Sequence, residues 1–130
     1  MTSDELIQQF ECGDTPAETF HHADHVRLAF EYLRRYSAIE ALERFSNALR
    51  RFAAAQGKAD RYHETITWTY LLLIRERMAR AEGAQSWEEF AANNSDLLVW
   101  KGGVLETLYR CDTLDSPLAR RTFVLPDRGR

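Results

Sequence analysis

The sequence is poor in cysteine and has no long apolar run, and both features exclude certain classes of protein. Its two cysteines, Cys12 and Cys111, do not form a CxxC motif, whereas disulfide scaffolds and thiolate zinc sites use more cysteines. The most apolar stretch, residues 66–74, is interrupted by two threonines and is much shorter than the roughly 20 residues that span a membrane. With a polar N-terminus in place of a signal segment, the chain is predicted to be cytoplasmic, with no membrane association.

A surplus of basic residues is also missing. The chain has 17 lysines and arginines against 20 aspartates and glutamates, which gives a formal net charge of −3. Proteins that bind DNA or RNA usually carry a basic surplus or a continuous basic stripe. The arginines of this chain are spread among acidic residues, and we therefore expect no nucleic-acid partner.

Apolar residues recur at helical spacing, and capping residues divide the pattern into about five helices. These predicted helices run from Pro16 to Tyr36, from the capping box at Ser37 to Gly57, from Asp60 to Ala81, from the capping box at Ser86 to Ala92, and from Asn94 through Leu108. Gly102 and Gly103 predict a kink in the fifth helix. A last short helical turn is expected at Ser116–Pro117, and residues 123–127 are predicted to be extended.

No strand-like alternation in the sequence is long enough to build a sheet. The predicted fold is therefore all-α: a single-domain bundle of about five helices with a short extended C-terminal tail. A length of 130 residues fits one domain over residues 1–130 that folds without disulfides. We expect residues 1–13 and 128–130 to be mobile, because chain ends fray unless they are tied down.

All four histidines lie in two short segments, Glu18–His25 (ETFHHADH) and Tyr62–Thr67 (YHETIT). Positions i, i+4 and i+7 share one face of a helix, and Glu18, His22 and His25 have this spacing. His63 falls on the apolar face of the third predicted helix. If the first and third helices pack together, the three imidazoles meet at one site.

Three imidazoles, with or without a carboxylate, suit a divalent transition metal such as Zn, Fe, Ni or Cu. We therefore predict metal ligation by His22, His25 and His63, with Glu18 as a fourth ligand or a nearby base. Cys12 is a further candidate ligand. Four residues are predicted to orient the imidazoles through hydrogen bonds: His21, Tyr62, Glu64 and Thr67.

The same residues leave two other hypotheses open. One is an interaction or regulatory module that forms a homodimer or docks a partner through an exposed apolar face, with structural histidines. Large late residues favour it, such as Trp87, Phe90, Trp100 and Leu125. The other is a metal-free pocket for a small-molecule ligand or for acid–base chemistry. The sequence contains no nucleophile elbow, phosphate-binding glycine loop or dinucleotide fingerprint, and so it predicts no particular reaction.

Three strings of the sequence carry a resemblance: FHHADHVRLAFEYLRRY, YHETITWTYLLLI and SPLARRTFVLPD. They resemble a family of uncharacterised bacterial all-helical proteins, over about residues 15 to 127. The resemblance implies that His22, His25 and His63 belong to one set, and it implies no specific activity.

Overall fold

The computed structural model describes residues 1–128 and is all-helical over that range. Residues 129 and 130, which belong to the segment expected to be mobile, lie outside the described residues. The helices are α1 (Ser3–Glu11), α2 (His22–Arg35), α3 (Ala38–Ala55), α4 (Glu64–Arg80), α5 (Trp87–Asn93), α6 (Leu105–Leu108), α7 (Cys111–Leu114) and α8 (Pro117–Arg121). Short 3₁₀ segments cover Ala17–Thr19, Ala59–Arg61 and Ser95–Leu98. The helical fold class is confirmed.

The two capping boxes start helices where the sequence predicted them. The Ser37 hydroxyl accepts a hydrogen bond from the Glu40 N–H at 3.3 Å and starts α3. The Ser86 hydroxyl accepts from the Glu89 N–H at 3.1 Å, while the Glu89 carboxylate accepts from the Ser86 N–H at 3.0 Å. These bonds satisfy N–H groups that have no partner within the helix.

The first predicted helix is wrong in its N-terminal part. Residues Ala17–Thr19 form a 3₁₀ turn, Phe20 is extended with φ −95° and ψ 90°, and α2 begins only at His22. The Asp24 carboxylate accepts a hydrogen bond from the His21 N–H at 2.9 Å, which favours a new helix start at that point. Glu18 is exposed and lies on a different element from His22 and His25.

The third predicted helix starts later than expected. Asp60 lies in the 3₁₀ segment, and the N-cap residue of α4 is His63, whose Nδ1 accepts a hydrogen bond from the Ile66 N–H at 3.1 Å. The prediction favoured Asp60 because aspartate is a common N-cap residue. His63 therefore lies at the beginning of α4, where its ring caps the helix.

The fifth predicted helix is wrong as a continuous element. It divides into the 3₁₀ segment Ser95–Leu98 and helix α6, with an irregular stretch between them. Gly102 has a φ of 68°, which favours glycine, and a Cβ at Gly103 would lie 2.2 Å from the Val99 carbonyl oxygen. The glycines thus break the helix, and the irregular stretch carries Trp100.

Helices α2, α3 and α4 pack against one another at the centre of the molecule. The predicted apolar stripe of α2, which includes Val26, Ala29 and Phe30, is buried. Helix α1 was not predicted, although the buried Ile7 and Phe10 share one face of it and α1 packs on α2. The expectation that residues 1–13 are mobile did not take this packing into account.

The extended tail at residues 123–127 is confirmed and is held by α4 and α6. The Val124 N–H donates to the Thr65 hydroxyl at 3.0 Å, and the Val124 carbonyl accepts from the Tyr109 hydroxyl at 2.6 Å. Phe123 stacks on Trp68, with ring centroids 5.4 Å apart. Among residues 1–128, none of the helices has the length and apolar character needed to cross a membrane.

Candidate functional site

A cavity of about 750 Å³ lies between α2, α3 and α4, and the three histidines that the sequence grouped together all line it. The wall is formed by Ala17, His22, His25, Val26, Ala29, Phe45, Leu49, Phe52, Ala53, Gln56, Lys58, Arg61, Tyr62, His63, Ile66, Thr67, Tyr70, Trp100 and Arg120. The wall therefore combines apolar and aromatic side chains with a small number of polar groups, which is typical of small-molecule sites.

His63 uses both of its ring nitrogens within the protein. Its Nδ1 accepts from the Ile66 N–H at 3.1 Å, so the proton of the neutral ring is on Nε2, which lies 2.7 Å from the Leu114 carbonyl oxygen. A carbonyl oxygen only accepts, and the Nε2–H therefore donates to it. Burial lowers the pKa of His63. This imidazole is a neutral structural group with no free lone pair.

His22 uses one ring nitrogen to join α2 to the segment Ser95–Leu98. Its Nε2 lies 2.9 Å from the Leu97 carbonyl oxygen and donates to it. The ring lies edge-on to Tyr70, with centroids 4.9 Å apart, and 5.1 Å from the ring of Trp100. Burial lowers the pKa of His22, so the ring is neutral near pH 7 and Nδ1 keeps its lone pair.

His25 differs from the other two histidines of the cavity. Within residues 1–128, neither of its ring nitrogens takes part in a hydrogen bond, and its closest ring neighbour is Phe20, with centroids 4.1 Å apart. Burial lowers the pKa of His25 to about 4, and the nearby His22 contributes to the shift. At neutral pH this imidazole offers one N–H donor and one lone pair to a molecule in the cavity.

Tyr70 also lines the cavity, but its hydroxyl is buried within the protein. Its side chain is 7% exposed, and its hydroxyl is a buried polar atom without a hydrogen-bond partner in the described part of the chain. Burial raises the pKa of this hydroxyl to about 12, so it is protonated at neutral pH. Buried hydroxyls are usually hydrogen-bonded; this one is not, but its oxygen has less than 1 Å² of accessible surface, so a molecule in the cavity meets the ring of Tyr70 and not its hydroxyl.

The predicted metal ligands do not come together as a metal site. Across residues 1–128, no group of three or more His, Cys, Asp or Glu side chains is arranged to hold a metal ion. Glu18 is exposed on the 3₁₀ turn, and His63 has no lone pair left for a metal. Cys12 is exposed and is not part of the cavity wall. Metal binding by Glu18, His22, His25 and His63 thus remains a prediction without geometric support.

The residues predicted to orient the imidazoles have other partners. The Glu64 carboxylate accepts from the Tyr62 hydroxyl at 2.5 Å and from the Arg50 guanidinium at 2.7 Å. The Thr67 hydroxyl donates to the backbone carbonyl of His63 at 2.8 Å. His21 is exposed at the start of α2. Tyr62 and Thr67 line the cavity, but their hydroxyls are not bonded to an imidazole ring.

Three basic residues of the wall were missed by the sequence analysis: Lys58, Arg61 and Arg120. The Arg120 guanidinium lies 3.5 Å from the Asp60 carbonyl oxygen, which brings it to the turn that holds the other two. No aspartate or glutamate belongs to the wall of this cavity in the described part of the chain. Sequence spacing gave no signal for this cluster, because Arg120 is 59 positions beyond Arg61.

Comparison with known proteins adds no relative: no family model, curated protein or solved structure matches this chain. The resemblance to a family of bacterial helical proteins therefore remains a prediction.

Proposed function

We propose that this protein binds a small organic molecule in the cavity between α2, α3 and α4, without the help of a metal ion. The observation that carries this proposal is His25, a neutral imidazole at the cavity wall whose ring nitrogens have no partner among residues 1–128. A bound molecule gives these nitrogens hydrogen-bond partners.

The size and chemistry of the cavity support the same proposal. Pockets of about 300–1,000 Å³ suit small-molecule ligands, which they bury among apolar and aromatic side chains with a few polar groups that set orientation. The volume of about 750 Å³ falls in this range. Phe45, Phe52 and Ile66 supply apolar contacts, and His25 supplies a polar one.

Ligand binding is favoured over acid–base catalysis by the protonation behaviour of His25. A general base is most effective when its pKa lies near the working pH, and burial lowers the pKa of His25 to about 4. Neither carboxylate of the prediction assists a histidine here, because Glu18, predicted as a nearby base, is exposed, and Glu64, predicted to orient an imidazole, is paired with Arg50 and Tyr62. His25 therefore serves better as a hydrogen-bonding group than as a proton acceptor.

Filling the cavity should weaken ligand binding. Ala53 lies on α3 at the cavity wall, and Ala53→Phe places a ring in the space that a ligand would occupy. In a screen of small organic fragments by saturation-transfer NMR, we expect hits on the wild-type protein whose affinity falls at least about tenfold in this variant. Ala54→Phe, an exposed neighbour outside the wall, should keep the wild-type affinities.

Two results would contradict the proposal. One is a screen in which no fragment binds the wild-type protein. The other is a set of hits that bind Ala53→Phe and Ala54→Phe equally well, because those fragments would then occupy another surface. Denaturation curves of both variants show that each remains folded.

Metal binding is the alternative that the sequence favoured first. A metal at His22 and His25 with affinity in the micromolar range or better would raise the melting temperature when Zn, Ni, Cu or Fe is added, because a ligand that binds only the folded state stabilises it. We expect no such shift in untagged protein. A reproducible shift that disappears in His25→Gln would support the metal hypothesis instead.

A homodimer is the other prediction that remains from the sequence. Of the apolar residues that favoured it, Phe90 is buried and Trp87 packs against the core, while Trp100 is 50% exposed and Leu125 is 73% exposed. Light scattering distinguishes a monomer from a homodimer. A monomer at all protein concentrations would argue against the interaction module. A cytoplasmic location likewise stays a prediction.

A further inference from the structure

The cationic residues of the cavity wall are exposed and lie at or beside one turn of the chain. Lys58 precedes the 3₁₀ turn Ala59–Arg61, Arg61 is its last residue, and the Arg120 guanidinium reaches the backbone of the same turn, 3.5 Å from the Asp60 carbonyl oxygen. α8, which carries Arg120, packs against α4. The fold thus brings together basic residues from two distant parts of the sequence.

These charges lack acidic partners. Among the salt bridges of residues 1–128, none involves Lys58, Arg61 or Arg120. The nearest acidic residue in sequence, Asp60, does not belong to the cavity wall, and neither does Asp115, whose charge acts on His63. The carboxylate of Glu64 is taken by Arg50 and Tyr62.

The charge of the cavity wall is opposite in sign to the net charge of the whole chain. The chain carries a net charge of −3, yet the described cavity wall has three basic side chains and no acidic one. A cleft lined by charges of one sign concentrates ligands of the opposite sign. The positive end of this cavity is therefore suited to an anion.

The rest of the cavity wall is mainly apolar and therefore suits an apolar part of the ligand. Val26, Leu49, Phe52 and Ile66 line the cavity together with the aromatic rings of Phe45 and Tyr70. An inorganic anion would leave this apolar surface without contacts. A ligand with an apolar body and one anionic end satisfies both parts of the wall.

We propose that the ligand of this cavity is an organic anion, most simply a carboxylate on an aromatic or aliphatic body, with its anionic end at Lys58, Arg61 and Arg120. This inference rests on the proposed function, because it names the ligand class of the same cavity. Arginine side chains suit it, since a guanidinium binds a carboxylate through paired N–H···O contacts. The apolar body lies between α2, α3 and α4.

Paired acids and amides test the inference directly. The probes are benzoate and benzamide, octanoate and octanamide, and naphthoate and naphthamide, titrated by calorimetry at low ionic strength. Each acid and its amide have nearly the same shape, so their difference in affinity reports the contribution of the charge. We expect at least one acid to bind about tenfold or more tightly than its amide, and added salt to weaken the acid alone.

Substitutions of the basic residues test where the anionic end of the ligand binds. In the double variant Arg61→Gln, Arg120→Gln, the preference for the acid should fall to the part that Lys58 alone supplies, while the amide binds as before. Arg121→Gln is the matched control, because Arg121 is exposed and lies outside the cavity wall. It removes one positive charge next to Arg120 but outside the wall, and it should keep the preference.

The outcomes distinguish the two proposals. Equal binding of acid and amide, lost from both in Ala53→Phe, would overturn the anion inference and leave the proposed function intact. A preference for the acid that survives both the double variant and Ala53→Phe would overturn the inference by placing the anion elsewhere. If neither member of any pair binds the wild-type protein, and the fragment screen also finds no ligand, the proposed function and the inference both fail.

Discussion

His63→Ala is expected to lower the free energy of unfolding by about 3 kcal/mol, which is a large change for a single substitution at a cavity wall. The loss has two sources. The helix α4 loses its N-cap, since Nδ1 accepts from the Ile66 N–H, and such a loss costs about 1 kcal/mol. The Leu114 carbonyl oxygen, which accepts from Nε2 at 2.7 Å in a part-buried position, loses its donor, and leaving an acceptor unpaired away from water costs about 1–3 kcal/mol.

A second variant separates the two sources of this loss. Asparagine is a good N-cap residue, but it is too short to keep the bond to Leu114 in place of the imidazole. His63→Asn should therefore lose less stability than His63→Ala, by about 1 kcal/mol. Urea denaturation of the three proteins at pH 7.5 measures both differences. A change below about 0.5 kcal/mol in His63→Ala, which is ordinary for a surface position, would mean that the ring is not a structural group.

Acidification should destabilise the protein before its carboxylates are protonated. The pKa of His25 is lowered from 6.5 to about 4 in the folded state, and the pKa values of His22 and His63 are lowered as well. Between pH 6.5 and the lower folded values, the unfolded chain binds protons that the folded chain does not, so stability rises with pH. The contribution of each histidine is complete above pH 6.5 and is lost as the pH falls.

For His25 alone, the loss of stability between pH 7.5 and pH 5.0 is about 2 kcal/mol, because over this range the unfolded chain takes up a proton at His25 and the folded chain does not. Denaturation midpoints measured at both pH values in the wild-type protein and in His25→Gln test this expectation. The variant cannot take up the proton, so its stability should depend less on pH by that amount. The same pH dependence in both proteins would show that His25 is protonated freely in the folded state.

The helices were predicted from the sequence where their start signals are local. Ser37 with Glu40 and Ser86 with Glu89 each lie within one turn of helix, and both starts are confirmed. A predicted helix start is wrong where a competing local hydrogen bond, or a contact with a residue distant in sequence, determines where the helix begins. Asp24 caps the backbone at His21 and separates Glu18 from the helix. His63 displaces Asp60 as the N-cap because Leu114, which is distant in sequence, fixes its ring.

The candidate site could be predicted only in part for the same reason. Helical spacing indicated that His22, His25 and His63 belong together, and all three line one cavity. The chemistry of each ring depends on carbonyl groups that sequence spacing does not reveal, since Leu97 is 75 positions from His22 and Leu114 is 51 positions from His63. The occupied nitrogens of His63 are what favour ligand binding over metal ligation.

The central claim is that a small molecule binds beside His25, and histidine ring spectra test it most directly. Nitrogen-15 correlation spectra of the labelled protein at pH 7.0, recorded with and without naphthoate and naphthamide, follow each imidazole separately. We predict that the ring signals of His25 move on addition of the probe that binds, that those of His63 keep the Nε2–H pattern, and that the exposed His21 is unaffected. Unchanged His25 signals at a probe concentration that saturates the protein would contradict the claim.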